Sequence, residues 1–295
     1  MILVTGATGR VGFHLLEQLS DADVPATAMV RVEARAGDLP SGVQHVVGTL
    51  DGPPSADVLR GFDEVFLLSP VLEQQPELEI GFLDALVTAG QRPHVVKLAA
   101  DGFQDPECEV GFMRNHRLIA RHLDGLDLPT TYLAPTLYME NLLHAADILR
   151  TEATLPVPAG QGRVGLVAAS DVAAVAAHTL TTEGHEDRLY TVTGPESLGM
   201  SDVAARISAV FASTVDYEDV PPERFRERLE AHGLDSWYVD SLLALFDWVR
   251  QGAEDTVTDE VRKASDDDPR PLDDWLSELR GAFVGRPDEA PVPQL

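Results

Sequence analysis

The sequence predicts an α/β fold, a doubly wound parallel sheet followed by a smaller, mostly helical C-terminal domain. Three observations carry that expectation. Short apolar runs alternate with amphipathic stretches as far as Pro135. The runs are apolar throughout, as strands covered on both faces are. Beyond Pro135 helical patterns take over, in a chain of 295 residues that exceeds the usual size of one domain.

Taken in order, ILVT (2–5) reads as a buried strand, and residues 10–19 as a helix with Val11, Leu15, Leu16 and Leu19 on one face. ATAMV (26–30) and VQHVVG (43–48) are the second and third strands, followed by a turn and a short helix over 56–60. EVFLLS (64–69) is the fourth strand, and 76–89 a helix ended by Gly90. HVVKLA (94–99), a helix over 111–123 and TTYLA (130–134) complete the alternation. Next come a helix over YMENLLHAADILR, an extended piece within LPVPAGQGRVGLV, and a helix over SDVAAVAAHTL capped by Ser170 or Asp171. RLYTVTGPESLG holds a further short strand, and helices dominate from Met200 onward. The expected layout is a nucleotide-type domain over 1–136, to which about 164–195 returns, and a lid over 137–285. A Pro-rich tail at 286–295 is expected to be disordered.

Composition narrows the function classes. Hydrophobic residues make up 44% of the chain, too many for a disordered protein. The formal charge of −27 repels phosphate backbones, which argues against nucleic-acid binding. No apolar run reaches the roughly 20 residues of a membrane span. A strand-like MILVTG at the start leaves no room for a signal sequence, so a cytoplasmic monomer or homodimer is expected. The single cysteine, Cys108, excludes an internal disulfide framework, and its acidic neighbours in DPECEVG make it a poor nucleophile. Asp101 and Glu109 have no metal-site spacing, and no metal is expected.

VTGATGRVG (4–12) carries the chemistry. Gly6, Gly9 and Gly12 stand at G-x-x-G-x-x-G between the first strand and its helix. Gly6 permits the tight turn, Gly9 the close approach of a pyrophosphate, and Gly12 the packing of helix on strand. The helix N-terminus offers free N–H groups to the anion. Position at the first strand of an alternating pattern makes this a dinucleotide site of Rossmann type, with Gly6, Thr8, Gly9, Arg10 and Val11 at the cofactor. At the tip of the second strand AMVRVEAR places Arg31, and Arg35 one turn later, where a 2′-phosphate would sit. Arg10 is expected to point to the same region, and the three favour NADP(H). Glu33 is the competing residue, able to grip a ribose hydroxyl instead.

With the GATGRVG loop and the arginine-tipped second strand, the chain resembles an atypical short-chain dehydrogenase/reductase of the NmrA-like group. The likeness runs on through GTLDG (48–52), VFLLSP (65–70), HVVKLAA (94–100), LAPTLYMENLL (133–143), ASDVAAVAAHTL, LYTVTGPESLGMSDVA and PRPLDDW, nearly the whole chain. The resemblance implies a cleft between the two domains that holds the nicotinamide. It puts Asp51 near the adenine, Leu68, Ser69 and Pro70 along the cofactor path, and Ala99, Ala100 and Pro135 at the nicotinamide end. Ordinary members of the superfamily use Tyr-x-x-x-Lys on the helix after the fifth strand, where a phenol passes a proton to a carbonyl. Here that helix carries FMRNH, with Phe112 and His116 at the spacing, and the assisting serine position reads Ala99–Ala100. His116 is a candidate to bind the ribose or donate a proton near neutral pH, or an ordinary helix histidine. Tyr138 and Asn141 are expected to face the substrate pocket, Tyr138 being either a replacement phenol or a residue packed against the lid.

Two functions follow from the resemblance. One is an NADPH-dependent reductase of quinone-like or aromatic acceptors, whose delocalised anion needs no tyrosine relay. Trp237, Tyr238, Leu242, Phe246 and Trp248 would line its apolar pocket, unless they are core. The other is a non-catalytic NADP(H) sensor that acts through a protein partner.

Overall fold

The computed structural model describes residues 1–265 and 267–278. In chain order it contains β1 (Ile2–Val4), α1 (Arg10–Asp21), β2 (Ala26–Val30), β3 (Gln44–Val47), α2 (Ala56–Leu59), β4 (Glu64–Leu67), α3 (Gln75–Thr88) and β5 (His94–Leu98). Then follow α4 (Gly111–Asp124), β6 (Thr130–Pro135), α5 (Ala146–Glu152), β7 (Thr154–Pro156), β8 (Arg163–Val164), α6 (Ala169–Thr181), β9 (Arg188–Val192) and β10 (Leu198–Gly199). The remainder is α7 (Met200–Phe211), β11 (Asp216–Glu218), α8 (Pro222–Ala231), α9 (Ser236–Arg250), α10 (Glu260–Ser265) and α11 (Leu272–Glu278).

Seven strands form one sheet in the order β3-β2-β1-β4-β5-β6-β9, every pair parallel. The doubly wound α/β fold is thus the one expected. The chain winds outward in both directions from β1, so a crevice opens above the C-terminal ends of β1 and β4, where such sheets bind ligands. Alternate residues of each strand serve opposite faces. Leu3, Val65, Leu67 and Val95 pack under Phe82, Leu83 and Leu86 of α3 and Met113 and Ile119 of α4. Ile2, Val4, Phe66 and Val96 pack under Leu15, Leu16 and Leu19 of α1 and Val172 and Ala176 of α6. A separate cluster joins Leu149, Leu155, Met200, Ile207, Phe225 and Trp275 in the C-terminal region. Helix α9 spans the seam, with Leu245 in the sheet core and Phe246 in the second core.

Some local expectations need correction. YMENLLHAADILR begins as a 3-10 helix over Met139–Ala145 and becomes α-helical only at Ala146. Neither Ser170 nor Asp171 caps α6. The carboxylate of Glu140 accepts from the Ala169 N–H at 3.0 Å instead, while Asp171 accepts from the Arg270 N–H at 2.7 Å. The helical stretch after Met200 is interrupted by β11, which pairs in parallel with β7. The expected tail at 286–295 lies outside the described residues. Among the described residues no helix is long and apolar enough to cross a membrane.

Candidate active site

The glycine loop is built for an anion. Gly6 has φ of +59°, and a Cβ there would lie 2.7 Å from Leu68 Cγ. A Cβ on Gly12 would come within 2.3 Å of the Gly6 carbonyl oxygen, so α1 can approach β1 this closely only with glycine there. Gly9 is the N-cap of α1, and among the described residues no side chain satisfies the first N–H groups of that helix. They remain for a ligand. The side chain of Val11 is buried in the core, which leaves its backbone at the loop. The Thr5 hydroxyl accepts from the Leu68 N–H at 2.8 Å, which fastens the segment Leu68–Ser69–Pro70 beside the loop.

At the tip of β2, Arg31 is exposed and has no ion pair with the described residues. Arg35 is held by Asp38 at 3.0 Å, an exposed pair that a stronger anion can displace. Glu33 is engaged with His45 at 2.9 Å, so the competing ribose ligand is tied to β3. The Gly48 N–H donates to the Val30 carbonyl, which brings the turn bearing exposed Asp51 alongside. Arg10 is the first residue of α1. Its half-buried guanidinium is destabilised by burial and favoured by the charges of Glu140, Tyr238 and Tyr138. It thus lies within electrostatic reach of residues that follow the sixth strand and of the first turn of α9. Among the described residues it has no hydrogen bond or ion pair, so its donors are free for a diphosphate.

Beneath the ends of β4 and β5 lies a polar network that the sequence did not reveal. The ammonium of Lys97 on β5 is 3.0 Å from the carboxylate of Glu79 on α3, the two side chains being 1% and 0% exposed. The same carboxylate accepts from the Ser69 hydroxyl at 2.6 Å and from the Gln75 amide at 3.0 Å. Ser69 is thus oriented by a buried ion pair. His116 on α4 is buried beside it, its Nδ1 without a partner among the described residues. Burial, and then the charge of Lys97, hold its imidazole well below the ordinary histidine range. A ring kept neutral can form a hydrogen bond to a ribose, but it is a poor source of a proton at neutral pH. The Ala99 N–H donates to Leu133 and the Asp101 N–H to Pro135, which joins the ends of β5 and β6. Ala100 is half-buried at that edge.

Phe112, half-buried at the start of α4, meets two lid rings. Trp237 is 5.6 Å away at 78°, and Tyr238 is 5.4 Å away at 55°. Phe246 belongs to the core, edge-on to Phe225 at 5.4 Å. Leu242 and Trp248 pack against the sheet core. Trp237 and Tyr238 are the two of these residues that make ring contacts with Phe112 among the described residues. Tyr138 is packed so that its hydroxyl is buried without a partner among the described residues. Burial and the nearby Glu140 push that phenol far above its ordinary range. Asn141 is half-buried one turn on, its N–H bonded to the Tyr138 carbonyl.

Two further acids lie behind β5. Glu254, 1% exposed, is pushed up to about 8 by burial and then by Asp101. Asp101 accepts from the Thr191 hydroxyl at 3.3 Å and is itself raised by burial. Cys108 is buried, and its thiol is raised by burial first, with Asp105 and Glu254 adding to the effect. Among the described residues no group of His, Cys, Asp and Glu could hold a metal ion.

Comparison with known proteins places this architecture. The NAD(P)H azoreductase of Xenophilus azovorans is 32% identical over 250 residues, which span 83% of this chain and 86% of the relative. The (4-alkanoyl-5-oxo-2,5-dihydrofuran-3-yl)methyl phosphate reductase of Streptomyces griseus subsp. griseus is 31% identical over 285 residues, or 96% of this chain and 99% of the relative. An NADPH-dependent quinone oxidoreductase of Escherichia coli, solved with NADPH, superposes with a TM-score of 0.85 at 22% identity, covering 95% of this chain and all of that one. The family model described as NmrA-like family matches residues 1–276. The chain belongs to the NmrA-like family.

Proposed function

We propose that the protein is an NADPH-dependent reductase that delivers hydride to a conjugated small-molecule acceptor, quinone-like or aromatic, without the Tyr-x-x-x-Lys relay. The observation that carries this reading is the meeting of two surfaces. A glycine cradle, whose Arg10 and Arg31 are unpaired among the described residues, and an aromatic group of Phe112, Trp237 and Tyr238 come together, with Tyr238 within electrostatic reach of Arg10. The residues fit NADP(H). Gly6, Thr8, Gly9, Arg10 and the α1 N-terminus would hold the diphosphate. Arg31, helped by Arg35, would hold the 2′-phosphate. Asp51 would border the adenine, and Leu68, Ser69, Pro70, Ala99, Ala100 and Pro135 the nicotinamide half. Bound there, the cofactor supplies a hydride.

The protein's own contribution is orientation and the exclusion of water. The Lys97–Glu79 pair fixes Ser69, neutral His116 offers a ribose contact, and the aromatic rings accept a flat acceptor by stacking. A conjugated acceptor spreads the charge left by hydride attack over several atoms, so its reduction is compatible with Phe112 at the usual phenol position. The relatives agree in kind, since an azo bond and an unsaturated lactone are both conjugated acceptors. The second reading, a redox sensor that binds NADP(H) and acts through a partner, is favoured by Ala99–Ala100 standing where a serine assists in ordinary members of the superfamily. The experiment that separates them is NADPH consumption with a panel of small quinones, run beside NADPH and NADP+ affinity by fluorescence. The reductase turns over at least one acceptor. Tight binding that prefers one redox form, with no turnover on any acceptor, supports the sensor.

A further inference from the structure

Reducing a neutral quinone or enone takes a proton as well as a hydride, and α4 offers only the phenyl ring of Phe112. Two phenols border Arg10. The hydroxyl of Tyr138 is sealed from solvent, so a proton it gave up could not be replaced from water. Tyr238 differs in each respect. It stands in the first turn of α9, whose start is set by Asp235, which accepts from the Tyr238 N–H at 2.9 Å. Its ring is half-buried and lies 5.4 Å from that of Phe112, beside the place where α4 lacks a phenol. No hydrogen bond engages its hydroxyl among the described residues. Burial raises its pKa, and the guanidinium of Arg10 opposes the rise by favouring the phenolate.

We infer that Tyr238, in the first turn of α9, is the proton donor to the acceptor's oxygen. The inference rests on the reductase reading. Hydride addition breaks the conjugated π bond, and its electron pair moves to the carbonyl oxygen. The O–H bond of Tyr238 then breaks, its proton forms the new O–H bond on that oxygen, and solvent water returns a proton to the phenolate. The sum is one hydride and one proton added to the acceptor. Donation from a positioned group contributes about 100-fold or more.

Tyr238→Phe tests this, because it keeps the ring against Phe112 and removes only the hydroxyl. Two acceptors are compared. A neutral 1,4-quinone needs hydride and proton. A cationic triarylmethane dye takes hydride at its central carbon and becomes neutral with no proton at all. The inference predicts that Tyr238→Phe lowers kcat for the quinone by about 100-fold, with KM for NADPH unchanged, so the quinone-to-dye ratio falls by a similar factor. An unchanged ratio overturns it, whether both rates persist or both fall together. A larger fall in the ratio for Tyr138→Phe than for Tyr238→Phe overturns it too and moves the donor to Tyr138. Wild-type protein that binds NADPH and reduces neither acceptor is a different outcome, in which the reductase reading itself fails.

Discussion

Replacing Lys97 by methionine tests the network beneath the site. The substitution keeps an unbranched chain in the core but leaves the Glu79 carboxylate, 0% exposed, with only the Ser69 hydroxyl and the Gln75 amide as partners. Breaking a buried pair in this way costs about 3–5 kcal/mol, because an uncompensated charge stays in the interior. At roughly 2 °C per kcal/mol for a chain of this size, Tm falls by about 6–10 °C. The double variant Lys97→Met/Glu79→Leu removes both charges and should recover most of that loss, since an apolar pair of similar volume is often neutral or better. Thermal unfolding followed by circular dichroism reads both. A Lys97→Met protein that melts with the wild type would refute the reasoning. So would a double variant no more stable than the single one, which would show the loss to be one of packing.

The arginines make separable predictions. Arg31→Ala should weaken NADPH by about 10–100-fold, the value of charge-assisted hydrogen bonds, and leave NADH unchanged; calorimetry showing equal losses would remove Arg31 from the 2′-phosphate site. Arg10→Ala, by contrast, should weaken NADPH and NADH alike, because Arg10 opens α1 beside the Gly9 N-cap where a diphosphate would sit, and a changed preference between them in the same titrations would contradict that role. Glu254 gives a pH dependence whose sign is fixed by its raised folded pKa of about 8. The stability it contributes is full below its unfolded pKa and is lost as pH rises through about 8. Wild-type Tm should therefore drop between about pH 5 and pH 9. Glu254→Gln should flatten that profile and be the more stable protein at the alkaline end, and parallel profiles for the two proteins would exclude the buried acid as the cause.

The cofactor half of the cleft was legible because backbone geometry constrains residue type. Glycine is required where a Cβ would lie 2.7 Å from Leu68 Cγ at Gly6 and 2.3 Å from a carbonyl oxygen at Gly12, and the apolar runs of a doubly covered sheet are continuous. What escaped notice depends on contacts between distant segments. Lys97 sits inside HVVKLA, which reads as an ordinary strand, and Glu79 lies on a helix that reads as ordinary too. The available signal was a lysine within an apolar strand of a chain with only two lysines. Asp216, Tyr217 and Glu218 form β11 with no apolar run, since pairing with β7 rather than burial defines that strand. Glu140 caps α6 from another element, so the local serine and aspartate misled. Glu140, Tyr138 and Tyr238 come within electrostatic reach of Arg10, and no local pattern places them beside the glycine loop.

The central claim is hydride transfer in this cleft, and isotope transfer measures it most directly. NADPH carrying deuterium at the transferable C4 position is incubated with the protein and a conjugated lactone or enone, and the product is analysed by mass spectrometry. The account predicts a product that carries the deuterium on carbon, formed in step with loss of the reduced cofactor. A cofactor that binds tightly and keeps its label, with the acceptor returned unreduced, would contradict it.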